Sequence, residues 1–454
     1  MKPDASLINN PNRRVWQIIL VVTGGLAISW LTATATFLFN VEDRRFVANV
    51  DGFGVEHNCL TSYAVATHLA TEGIENLYAP SHYRNAVIPT PIHDQVRGKF
   101  TVDAFHYPPP FLILPKALIT AFSGFFTFRA AWLILTVACL IGALIGLACW
   151  CGAFRSQPRL LIFPVLLCAP TLHVALQIGN AHILIISISV LAMIAIEKQR
   201  FIFGAGLLGF AVAAKIWPAI FVVLLLLQKR WKAAFWCAIA VTVYTLGALL
   251  IFGPEPYRAF VFYELPRISS GEAFGFMGIL PRAIMTNMSV FGIPQKLHAL
   301  GVLSSKPALV SPVLSWSFTA LVTAIVIATG LRSRREGAIR DDSDRLASAQ
   351  LWLALLTLAQ LRSPFLPWAY GVVSTLWLLL FLSVLARGWK LGMIIVAWLI
   401  LSINVPPAFA SDAVGFHLSY TLFASLLVFG AILAGVGAYW ARSRGVYAHI
   451  SRSP

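Results

Sequence analysis

A single lysine, Lys215, stands in the middle of an apolar run from Phe201 to Leu227, bounded by Lys198 and Arg200 on one side and by Lys229 and Arg230 on the other. An ammonium there costs at least about 2.5–3.5 kcal/mol on insertion scales, so it should face a protein-lined cavity instead of lipid, and the default reading of such a residue is functional. A compact cation suits a phosphate, and phosphate binding is favoured over a structural ion pair. Pro218, three residues on, removes a backbone donor and predicts two short half-helices in place of one straight span, with Lys215 at their apex.

Other residues able to do chemistry cluster in polar stretches between apolar runs. Asp51, Glu56 and Asp103 are carboxylates that could take a proton as a general base; Asp51 is the first choice because it follows the first apolar run most closely without an adjacent basic residue. The competing reading of each is a charge that solvates an exposed loop. Arg267 and Arg282 could clamp a phosphate as forked donors or solvate a second loop. Arg362, directly before Ser363-Pro364, stands at a predicted outer end, where charge bias disfavours arginine, and could serve the same phosphate. Asn180 and His182 line the same cavity or cap a polar helix end together with Gln177. His106-Tyr107 precede Pro108-Pro109-Pro110 and present either a stiff aromatic platform or a tight turn with an interfacial tyrosine.

The elements that must position these residues are membrane helices. Of 454 residues, 58% are hydrophobic and 11% charged, and weakly charged apolar segments recur along nearly the whole chain. The composition implies an all-α, polytopic membrane protein read as a single transmembrane domain over residues 1–454. The net charge of +16 does not point to nucleic acid, because Lys and Arg sit in short clusters between apolar runs, as the positive-inside rule expects. Val15 to Phe39 is the first span; it is too long for a signal-peptide core and is expected to stay in the membrane with Arg13-Arg14 inside. Residues 40–106 then lie outside, with TSYAVATHLATEGIENLY as a short helix at the membrane surface ending near Gly73. The stretch from Tyr107 to Phe122 is short for a span and is expected to be re-entrant or interfacial. Ala130 to Trp150 is a full span that Arg155 and Arg159 tie to the inner face.

Leu160 to Leu176 runs outward, the Gly179-Asn180 knot lies at the outer end and His182 to Ile196 returns. The run 201–227 goes in and comes back as a broken pair. Ala233 to Phe252 crosses outward, residues 253–310 form a second external loop, and Pro312 to Leu331 returns to a charged inner segment. Four further spans fall near 346–362, 366–385, 390–404 and 416–440, with Arg387 and Lys390 inside. The count is ten full crossings and two incomplete ones. Cys139, Cys149, Cys151, Cys168 and Cys237 lie in apolar runs and Cys59 stands alone in a loop, so neither a disulfide framework nor a zinc site is indicated, and no cofactor or metal is expected. No phosphate-binding GxxxxGK[ST] loop is present.

Several of these stretches, in this order and spacing, resemble glycosyltransferase family 87: Gly73 with Leu77-Tyr78, HYPPPFLILP, Gly179-Asn180, AGLLGFAVAAKIWP, Arg230-Trp231 and FGPEPYRAF. The resemblance covers most of residues 40–370. It implies a GT-C-like bundle of about ten to twelve helices with short interfacial helices in the first external loop. The implied activity is transfer of a sugar, mannose or another hexose, from a polyprenyl-phosphate donor to a lipid or glycan acceptor. The expected setting is the outer, periplasmic face of a bacterial cytoplasmic membrane, with membrane lipids as surroundings. The family takes an acidic residue of the first external loop as general base; Asn58-Cys59 stand at the matching place here, which makes Asn58 a substrate-lining candidate. Ser363 to Tyr370 departs as well, since relatives carry Asp or His near Trp368 or Tyr370. On this reading Asp51, Glu56 or Asp103 takes the hydroxyl proton, while Lys215, Arg267, Arg282 and Arg362 hold the leaving phosphate. The alternative classes are a transporter or lipid-linked-sugar flippase, which also uses broken helices and a midplane cation, and a non-catalytic relative.

Overall fold

A computed structural model describes residues 13–45, 55–152, 162–278, 280–336, 342–403 and 414–450. Asp51, Arg155 and Arg159, used above to place a base and the inner face, lie outside the described residues. The rest is helical, with two isolated β-bridges and no strand among the described residues. A helix satisfies its backbone polar groups internally, which is what long apolar runs in lipid require.

In chain order the main helices are α1 (Arg13–Phe37), α2 (Leu60–Thr71), α3 (Phe125–Trp150), α4 (Pro170–Ile178), α5 (His182–Glu197), α6 (Phe201–Ala214), α7 (Ala219–Leu227), α8 (Trp231–Phe252), α9 (Pro307–Glu336), α10 (Asp342–Gln360), α11 (Val373–Ser383), α12 (Trp389–Ser402) and α13 (Val414–Ile450). Five of them, α1, α3, α8, α9 and α13, are long and apolar enough to cross a bilayer by themselves. The pair α4 and α5, bent by 108° at residues 179–181, makes a sixth. The ten crossings expected from the sequence are therefore not ten long helices. Several apolar runs are cut by proline or glycine: 201–227 breaks between α6 and α7 at Pro218, and the run near 366–385 opens with the short turn Trp368–Gly371 behind Pro367 before α11 begins.

The loop after α1 is more deeply packed than its sequence alone suggests. Helix α2 is packed inside the protein, with all but two of its residues buried. Its hydroxyl residues tolerate that burial because they bond back along the helix, as when Thr67 Oγ1 donates to the Tyr63 carbonyl at 2.7 Å. Leu60, Tyr63 and Leu69 pack with Phe105, Phe111, Phe128 and Trp132 in a cluster that also reaches Leu184 on α5 and Ala211 on α6. Each such large side chain contributes about 1.5–3 kcal/mol on full burial. The loop is thus welded to the spans that carry the Asn180 knot and Lys215.

Glycines set how closely those spans approach. A Cβ at Gly209 on α6 would lie 2.5 Å from Ala240 Cβ on α8, and one at Gly204 would lie 2.8 Å from the Ala192 carbonyl on α5. Small residues let the backbones meet, and α6 is held between α5 and α8 with its C-terminal end, Lys215, directed at the start of α5.

Candidate active site

The site forms where the loop after α1 meets the bend between α4 and α5. Cys59 N–H donates to the Ile178 carbonyl at 2.9 Å, just before Gly179 turns the chain with φ of +72°. Asn58 is fully buried: its Oδ1 accepts Leu60 N–H at 3.0 Å and its Nδ2 donates to the Gln177 carbonyl at 3.4 Å. That makes Asn58 the clasp between loop and bend. A lone parallel bridge pairs His57 with Thr101, and Thr101 N–H donates to the Glu56 carbonyl at 2.9 Å. The bridge brings Asp103 beside His57, and Thr61 fixes it, its Oγ1 accepting Asp103 N–H at 3.2 Å while donating to the Asn58 carbonyl at 2.8 Å.

His57 Nδ1 then lies 3.1 Å from Asp103 Oδ1, and the ring's other nitrogen lies 3.7 Å from Cys59 Sγ. Burial opposes a charge on His57, yet the charge of Asp103, its hydrogen bond and the Cys59 sulfur together hold the imidazole well above its ordinary range. Asp103 Oδ2 is buried and has no hydrogen-bond partner. Glu56, one residue before His57, has an exposed side chain.

Lys215 approaches from the other side. Its Nζ lies 2.6 Å from His182 Nδ1 and 4.7 Å from the centre of the Tyr107 ring. Asn180 joins the two halves: its Oδ1 accepts His182 N–H at 3.0 Å, and its Nδ2 donates to Cys59 Sγ at 3.3 Å. The three prolines do what their fixed φ permits. They lead into a tight turn, Pro109–Leu112, that stacks Tyr107 on Phe111 with centroids 4.5 Å apart. The Tyr107 ring is thereby committed to Phe111 and Lys215, and its hydroxyl meets Tyr63 Oη at 2.9 Å. Burial pushes both tyrosine hydroxyls well above their usual range, so both stay protonated.

The remaining candidates separate from this centre or are already engaged. Glu264 is fully buried at the end of a π-helical turn, Phe260–Glu264, with Oε1 2.5 Å from His106 Nδ1 and Oε2 2.9 Å from Arg267 Nη1. Arg267 also meets Glu272 at 3.1 Å, so its charge is compensated. Arg362 donates through Nε to Thr319 Oγ1 at 2.5 Å and lies over the Trp316 ring. Arg282 sits half-buried in the short helix Pro281–Thr286.

The family model of glycosyltransferase family 87 matches residues 105–364, more than half of the chain. The chain belongs to glycosyltransferase family 87. It is a membrane glycosyltransferase, all-helical as that family's GT-C bundle requires. No curated protein matches the sequence. Among solved structures, ArnT from Cupriavidus metallidurans in the apo state is similar at 13% identity and a TM-score of 0.31, over 92% of this chain and 78% of that one. The family match begins at Phe105 and therefore takes in Lys215, His182, Asn180, His106, Arg267, Arg282 and Arg362. It leaves out His57, Cys59 and Asp103. The sequence reading singled out Asp103 as a site candidate but not His57, Cys59 or Glu264. The signal available for the first two was the His57-Asn58-Cys59 run at the place where the family carries its acidic residue.

Proposed function

We propose that the chain transfers a hexose, mannose or a close relative, from a polyprenyl-phosphate donor to a lipid or glycan hydroxyl at the outer face of a bacterial cytoplasmic membrane. The observation that carries this reading is Lys215, a cation at the end of an apolar helix whose neighbours are an imidazole and a phenol ring. No ion pair between described residues involves it. Such a cation stabilises the negative charge that gathers on a departing lipid phosphate, and preorganised cations are worth most where water is excluded. Asp103 is the carboxylate that takes the acceptor proton, through Oδ2, while His57 holds Oδ1. In the transfer step the acceptor O–H bond breaks with its proton passing to Asp103, the oxygen bonds to the sugar C1, and the C1–O bond to phosphate breaks with its electron pair leaving on the phosphate beside Lys215.

The test is purified full-length protein in detergent with labelled polyprenyl-phosphate sugars and an extracted lipid mixture, scored for transfer. Loss of transfer in Asp103→Asn and Lys215→Met at unchanged folded yield supports the reading. Normal transfer in both overturns it, and movement of intact lipid-linked sugar across a vesicle bilayer without transfer assigns the chain to the flippase class.

A further inference from the structure

We infer that His57, Cys59 and Asp103 form a site for one divalent metal ion, and that the donor set selects zinc. One ring nitrogen, one thiol sulfur and one carboxylate oxygen lie within 4.8 Å of one another. Zinc bonds of about 2.0–2.3 Å place tetrahedral ligand atoms roughly 3.3–3.8 Å apart. The 3.1 Å between His57 Nδ1 and Asp103 Oδ1 is already near that spacing; the 3.7 Å contact of Cys59 Sγ is with the ring's other nitrogen, so the thiol has to move closer to whichever nitrogen holds the ion. Thiolate and imidazole favour zinc over magnesium or calcium, which prefer oxygen alone.

Three further observations point to a ligand. Asp103 Oδ2 is buried without a partner, a cost that a bound group relieves. Cys59 Sγ receives the Asn180 Nδ2 donor at 3.3 Å, the outer-shell contact that steadies a metal-bound thiolate. The side chains of His57 and Asp103 keep 22% and 25% of their surface exposed, which leaves an entry path and a fourth coordination position. Three protein ligands with one open position is the arrangement of a catalytic rather than a structural zinc. The sequence alone gave no such indication, because Cys59 has no cysteine near it and the third ligand arrives through the Thr101 bridge.

This inference deepens the proposed function. An acceptor hydroxyl in the fourth position would be acidified by the ion, and Asp103, bound through one oxygen, keeps the other to take the proton. Such an ion would make good the acidic residue that Asn58-Cys59 replace.

The experiment uses the full-length protein in detergent, stripped with a chelator and titrated with Zn2+ and separately with Co2+, with no sugar donor present. One ion per chain, a thiolate-to-cobalt charge-transfer band, and loss of both in Cys59→Ser but not in Cys149→Ser are the expected results. Asn180→Ala should weaken binding about 10–100-fold. Should Cys59→Ser fail to fold, wild-type protein decides: zinc should shield Cys59 from maleimide, read by mass spectrometry of its peptide. A metal content equal to that of Cys59→Ser, or a Cys59 alkylated equally with and without zinc, overturns the site and leaves a metal-free thiol–imidazole–carboxylate relay. Because binding is read without substrate, that outcome leaves the glycosyl-transfer reading standing; absent transfer with tight zinc binding would do the reverse.

Discussion

Lys215 Nζ lies 2.6 Å from His182 Nδ1, and the same ring nitrogen lies 3.0 Å from Asn180 Oδ1. One nitrogen cannot accept from an ammonium and donate to an amide oxygen at once. A charged Lys215 therefore places the His182 proton on Nε2, and Asn180 Oδ1 keeps the His182 backbone N–H as its donor. Trp217 and Tyr370, with ring centroids 5.7 and 4.8 Å from that of His182, hold the imidazole in this orientation. The arrangement presents a cation backed by a neutral ring, a charge that no protein carboxylate neutralises among the described residues.

Lys215→Met follows from that relationship. The substitution keeps length and apolar bulk, removes an intramembrane charge and strands no carboxylate, so melting temperature should equal or exceed that of the wild type. Transfer should fall by about 10²-fold or more, the usual loss when one preorganised electrostatic group is deleted. Lys215→Arg should recover only part of it, since a planar fork is not a compact ammonium. A Lys215→Met protein that melts several degrees lower yet transfers normally would refute the phosphate role.

The His57–Asp103 pair predicts a pH dependence. The folded protein holds His57 well above its ordinary 6.5, so the native state binds the proton more tightly than the unfolded chain does. The resulting stability is fully present below about pH 6.5 and is lost as pH rises through the elevated native value. On chelator-treated protein, the melting-temperature gap between wild type and Asp103→Asn should be widest near about pH 6 and should shrink toward alkaline pH. A gap that widens with pH would mean that the pair is not imidazolium and carboxylate.

Lys296 gives the opposite sign. It is fully buried in the helix Ile293–Ala299, Nζ has no hydrogen-bond partner, and burial pushes it down to about 7. The unfolded chain then holds the proton more tightly, so the lysine costs most below about pH 7 and nothing above about 10.5. Lys296→Met should raise the melting temperature, strongly at pH 6 and little at pH 10. Equal gains at both ends would show that the ammonium reaches solvent or an anion.

How much of this could be read from the sequence divides along a physical line. The Lys215–Pro218 break was legible, because a charge and a proline inside an apolar run are local anomalies with local consequences. The Asn180 knot was legible for the same reason. The burial of α2 was not: its period marks an apolar side, but only the packing of Phe105, Phe111 and Trp132 covers the rest. Glu264 looked like any other charge of the polar stretch 253–310, and nothing near it in sequence announces His106 as its partner. His57 and Asp103 meet through one bridge between distant segments, and such pairings are invisible to periodicity.

Gly179 supplies the last prediction, because it joins the legible knot to the illegible loop. Its φ of +72° is strained for any residue with a Cβ, by roughly 1–2 kcal/mol. A Cβ there would also lie 2.8 Å from Leu60 Cγ and 3.1 Å from its Cδ1. Gly179→Ala should therefore lower the melting temperature and displace Asn180, loosening both Cys59 and His182, so that transfer falls more than stability alone explains. Leu60→Ala by itself opens a cavity under a buried leucine, at about 2–5 kcal/mol. Combined with Gly179→Ala it should cost less than the sum, because the clash goes with the side chain, and residues in direct contact couple by about 0.5–3 kcal/mol. The measurement is a double-mutant cycle in melting free energy together with transfer rate on the same four proteins. Strict additivity would show that Gly179 is needed for its backbone angle alone and that the close approach of Leu60 plays no part in setting the bend.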